Sequence, residues 1–158
     1  MPAADGWAIG AGRVIAAGRI AAGVTLLVAP GRASRAWVGD LGPGATTMAR
    51  CVGIRDLIMG GIQLHTVDHP QVGPRWVATC ALADAVDGVA TLAARRALPT
   101  TGAVGVPAMG LGAAAAGLAA SVVLRRRSKR LALGPQAPIT IVPKGRDPVH
   151  PVPPPPAA

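Results

Sequence analysis

Apolar residues along this chain arrive in blocks about one bilayer long, separated by short joints rich in Gly and Pro. The clearest block runs from Ala97 to Leu124 without a charged residue. A membrane span needs ~20 mostly apolar residues at ~1.5 Å rise each. Pro99 and Pro107 fall in the first half of the block, so the pattern predicts a helix over 101–124 with a kink at Pro107. Three earlier blocks, 8–29, 45–64 and 76–94, have similar lengths but carry charges. Arg13 and Arg19 lie in the first, Arg50, Arg55 and Asp56 in the second, and Asp84 and Asp87 in the third. Each would span poorly alone, because a charge near the bilayer centre costs ~2.5–3.5 kcal/mol on an insertion scale. The joints at 30–44, 65–75 and 95–100 read as turns between antiparallel helices. The predicted fold is all-α: a four-helix antiparallel transmembrane bundle within residues 1–124. A basic and then Pro-rich cytoplasmic tail, read as disordered, covers 125–158.

Composition points the same way. About half the chain, 51%, is hydrophobic, yet it has three Trp, no Phe and no Tyr, and 33 of its residues are Ala. A soluble core of this size takes much of its buried area from aromatics and large aliphatics, which argues against a compact water-soluble enzyme. Trp7, Trp37 and Trp76 stand at or near the predicted helix starts, as interfacial anchors would. The first block lacks a basic lead and is interrupted by Arg19, which argues against a cleaved signal peptide.

A net charge of +9 raises nucleic acid as a partner, but the distribution argues otherwise. The densest basic run, Arg125, Arg126, Arg127, Lys129 and Arg130, follows directly on the longest apolar block. It has no interleaved aromatics on which bases could stack. It is placed as an anchor to anionic lipid head groups. By the positive-inside rule it sets the C-terminus in the cytoplasm, and four passes bring the N-terminus there too. Arg32, Arg35, Arg95 and Arg96 then lie outside, so the rule is only partly obeyed.

Depth singles out one constellation. Arg19 lies ~15 Å along the first predicted helix, Arg55 and Asp56 ~14–15 Å along the second, and Asp84 and Asp87 ~12–17 Å along the third. All five fall in one central slab of a ~30 Å hydrocarbon layer. Arg50, about a turn and a half nearer the surface, brings the set to three Arg and three Asp. Cys80, Asp84, Asp87 and Thr91 share a helix face. Buried charges in lipid must be paired or line a wet cavity. The spacing predicts that Arg55 pairs with Asp84 and Asp87 while Asp56 meets Arg19. One role for such a set is an ion-pair lock holding a weakly hydrophobic bundle together. The other is a polar site for a proton, an ion or an anionic head group.

The run Ala49-Arg50-Cys51-Val52-Gly53-Ile54-Arg55-Asp56-Leu57, followed by Gly60 or Gly61, resembles the R-x-x-G-x-R-D-hydrophobic-x-x-G signature of an uncharacterised family of small actinobacterial integral membrane proteins, loosely DoxX-like. The resemblance covers roughly residues 10–124. It implies four membrane helices, with acidic residues on the third at the positions of Asp84 and Asp87, and no assigned activity. DoxX-like proteins are linked to membrane redox complexes, but no redox-centre motif stands in this sequence.

Weaker signals add little. His65, Asp68 and His69 have a metal-like spacing, but Pro70 follows and the segment reads as a turn. Cys51 and Cys80 fall at opposite depths, too far apart for a disulfide. No metal, cofactor or catalytic motif is expected. The leading reading is a non-enzymatic protein of the bacterial inner (cell) membrane. It would act by association with itself or a membrane protein partner through its Gly/Ala faces. A small-solute or proton-coupled transporter and a membrane redox subunit are the rivals.

Overall fold

The computed structural model describes residues 3–134. They form five α-helices: α1 (Ala3–Val28), α2 (Pro30–Val38), α3 (Pro43–Thr66), α4 (Gly73–Ala93) and α5 (Val106–Ala132), with no strand among the described residues. Three stretches are long and apolar enough to cross a membrane: Asp5–Val28, Gly73–Ala93 and Thr101–Ala132. The fourth long helix, α3, has 24 residues but does not join them by composition, because Arg50, Arg55 and Asp56 dilute its apolar content. The all-helical expectation therefore holds, with three apolar helices of membrane length rather than four equivalent ones.

Three local expectations are corrected. The joint after the first helix contains the short helix α2. Pro30 fits its first turn, where a missing N–H costs nothing, and Gly39 closes it at φ 76° in the left-handed region. Its Ser34 is buried and donates to the Ala45 carbonyl at 3.1 Å, while Arg32 and Arg35 face outward. Second, the basic run is not outside the helix. α5 continues through it to Ala132, so those side chains stand on a helical surface. Third, the expected kink at Pro107 takes the form of a π-helical turn, Thr101–Gly105, that passes into α5 just before the proline. Proline offers no N–H for the α-helical ladder, and a wider turn there absorbs the mismatch. The Pro-rich tail expected after residue 134 lies outside the described residues.

Two antiparallel pairs make the bundle. α1 packs along α3 and α4 along α5; α1 also touches α5, whereas α3 and α4 meet only lightly. Small residues set the close approaches. A Cβ on Gly23 would stand 2.7 Å from the Gly53 carbonyl oxygen, and one on Gly53 would stand 2.9 Å from that of Gly23. Gly53 is the glycine between Arg50 and Arg55 in the second-helix motif, so this backbone contact brings the following Arg55-Asp56 pair close to α1.

The two ends of the bundle differ. At the end holding the start of α1, Ala8, Ile9, Val67, Val77, Ala120 and Leu124 form a closed apolar core. Asp5, with its side chain 4% exposed, is paired there with Arg130 at 2.6 Å, tying the first turn of α1 to the last turn of α5. At the opposite end α2 lies against α3 and against the π-helical turn. The Thr101 hydroxyl donates to the Ala36 carbonyl at 2.5 Å, and a Cβ on Gly102 would fall on the Trp37 carbonyl oxygen.

Candidate functional site

Arg19 is the centre of the polar interior. It sits on α1 with its side chain 4% exposed. One terminal nitrogen donates to Asp84 Oδ2 at 2.6 Å and to the Cys80 carbonyl at 3.0 Å; the other reaches Asp56 Oδ1 at 3.3 Å. A single guanidinium thus joins α1 to α3 and to α4. The carbonyl contact is possible because a residue on α4 four positions before Asp84 lies on the same helix face.

Arg55 forms the second half. It faces Asp87 with two nitrogens on two oxygens, at 3.2 and 2.5 Å, and reaches Asp56 Oδ1 at 3.2 Å. The forked pairing is the geometry a planar guanidinium favours. Asp56 Oδ1 is the shared acceptor that links the two halves. The network runs Asp84, Arg19, Asp56, Arg55, Asp87, across α4, α1, α3 and back to α4.

The predicted partners are corrected in two places. Asp84 pairs with Arg19 instead of Arg55, because Arg19 projects from the helix that stands between α3 and α5, where it reaches the face of α4. Arg50 does not join at all. It is exposed on α3 and forms no ion pair among the described residues. Five residues earlier than Arg55, it points well away around the helix. Without it the expected neutral sum becomes two guanidiniums facing three carboxylates. One negative charge is in excess if all are ionised.

The network is not a sealed plug. It forms one wall of a cavity of about 640 Å³ that extends from mid-bundle toward α2. Arg19, Arg55, Asp56, Asp84 and Asp87 all line it, and the remaining lining is mostly apolar, including Trp37, Met109 and Ala113. The Nε atoms of Arg19 and Arg55 are buried without a hydrogen-bond partner among the described residues. Asp84 Oδ1 and Asp56 Oδ2 accept no hydrogen bond among the described residues. The two carboxylates therefore keep free acceptor capacity on residues that line the cavity, where water or a ligand can reach them.

The remaining predicted residues are spread over the surface. Trp7 is 53% exposed on α1, Trp76 is half-buried in the first turn of α4, and Trp37 belongs to α2 and faces the cavity instead of standing in an open loop. Arg125, Arg126 and Lys129 are exposed, Arg127 is half-buried, and Arg130 is engaged by Asp5. Both cysteines are free thiols, Cys51 exposed and Cys80 buried. Among the described residues no group of His, Cys and Asp could hold a metal ion. Asp68 instead pairs with Arg13 at 2.6 Å on the surface.

Two interior groups escape sequence reasoning. Gln63 is buried and donates from Nε2 to the Gly12 carbonyl at 2.8 Å, fastening α3 to α1 one end away from the charges. Asp5 finds Arg130 across 125 positions. No local spacing signals either contact. Comparison with protein-family models, curated proteins and solved structures finds no match to this chain.

Proposed function

We propose that the chain is a multi-pass protein of the bacterial cell membrane that crosses the bilayer four times and binds a small solute or proton in its mid-depth cavity, in a transport role. The observation that carries this reading is that all five members of the Arg/Asp network line a cavity of about 640 Å³ rather than a packed interior. A helix as charged as α3 becomes tolerable in lipid when its charges are paired and wetted from within. The closed apolar core at the other end supports a cavity open toward one face only. The uneven ratio of carboxylates to guanidiniums supports a proton or cation as one of the species handled. The three apolar helices of membrane length support the membrane assignment, and the basic end of α5 supports a cytoplasmic C-terminus.

A second reading, an ion-pair lock without a ligand, is favoured by the fact that every member of the network has at least one ionic partner. Substituted-cysteine labelling separates the two. In a Cys51→Ser background, Ala113→Cys places a thiol on the cavity wall. Labelling by a membrane-impermeant thiol reagent from the α2 side only is the expected result. A thiol unreactive from both sides in folded protein leaves the lock.

A further inference from the structure

We infer that the other end of the molecule holds a defined binding site for the head group of an anionic phospholipid, built between the start of α4 and the basic last turns of α5. The site is an open pocket of about 900 Å³. Arg75 and Trp76 line it from α4, and Val122, Arg125, Arg126 and Lys129 from α5. Among the described residues no acidic side chain lines it. None of its four cations has an ion-pair partner among the described residues, in contrast to Arg130, whose guanidinium is taken by Asp5.

Three observations select a lipid as the occupant. The pocket stands where the uncharged stretch of α5 ends at Leu124, which is the boundary depth for a head group. Trp76 lies at that same level, as interfacial Trp does. Below the cations the surface continues as an apolar strip. Val122 is 47% and Leu118 40% exposed, one helical turn apart, giving an acyl chain a path along α5. The α3–α4 connection also comes up against α5 here, with the Ser128 hydroxyl beside the Pro70 carbonyl. A dense basic run alone would attract a lipid surface diffusely. Here Arg75, from a distant part of the sequence, closes the cluster. Four cations around one pocket, with no ion-pair partner among the described residues, favour a dianionic head group over a monoanionic one.

The test uses the full-length protein reconstituted in phosphatidylcholine nanodiscs with a few per cent of either cardiolipin or phosphatidylglycerol, and counts lipids retained by native mass spectrometry. Wild type is expected to retain cardiolipin in preference to phosphatidylglycerol. Arg75→Gln with Arg126→Gln is expected to lower cardiolipin retention roughly thirtyfold, at about a factor of five per cation. Arg95→Gln with Arg96→Gln, an equal charge loss at the opposite end of α4, is expected to change it little. Val122→Trp keeps every charge and fills the pocket, so it should also lose the lipid; it covers the case in which the double variant fails to fold. Equal losses from both double variants would overturn the site in favour of net charge. Displacement of the lipid by millimolar inorganic phosphate would overturn it in favour of a free-anion site.

Discussion

Arg19 on α1 and Asp84 on α4 meet at 2.6 Å across 65 positions of sequence, and the same guanidinium holds Asp56 of α3. α1 and α4 share little other contact, so this ion pair is the main direct tie between these two helices.

Removal of Asp84 is therefore expected to be costly and specific. Asp84→Asn leaves a guanidinium with its side chain only 4% exposed short of one carboxylate. Breaking one side of such a pair typically costs ~3–5 kcal/mol. Asp87→Asn should cost less, about 1 kcal/mol, because Asp87 and Arg55 are each about a third exposed (32% and 36%). Denaturant titration of purified protein in mild detergent checks the order. Partial rescue of Asp84→Asn should come from Arg19→Gln and not from Arg55→Gln.

The glycines after the motif give a paired prediction. A Cβ on Gly60 would stand 2.8 Å from Ile20 Cγ1 and 3.0 Å from the Ala16 carbonyl oxygen, whereas one on Gly61 meets nothing within 4 Å. Gly60→Ala should destabilise the α1–α3 pair by about 1–3 kcal/mol, the usual cost of overpacking. Gly61→Ala should be neutral or mildly stabilising, since Ala is the better helix former. Melting of the two variants side by side decides it.

At the closed end, Arg130→Gln should loosen the start of α1. Asp5 is nearly buried and has Arg130 as its ionic partner. The expected result is faster amide exchange over residues 5–9 with little change in the network region. Exchange that stays at wild-type rates would show that the apolar core alone secures this end.

How much of this was legible in the sequence follows from what each signal depends on. Helix existence was readable for α1, α3, α4 and α5, because block length and the absence of breakers are local properties. α2 was not, since Pro30, Gly31 and Gly39 bracket a stretch too short to show a period against its turn residues. That Arg19, Arg55, Asp56, Asp84 and Asp87 lie at one level of the bundle follows from counting along helices. The choice of partner does not. Whether Asp84 turns to Arg19 or to Arg55 depends on rotation about each helix axis, and that is set by contacts such as Gly23 on Gly53. Arg50 misled because its type matched the set while its face did not. The cavity was illegible, being a property of packing between elements.

The most direct test of the account is a double-mutant cycle on Arg19 and Asp84 in protein held in lipid bilayers. Stabilities of wild type, Arg19→Gln, Asp84→Asn and the double variant give the coupling between the two side chains. A favourable coupling of about 2–3 kcal/mol, little changed by moderate salt, is the predicted result for a pair whose side chains are only 4% and 16% exposed. A coupling near zero, with the two substitutions simply additive, would contradict it.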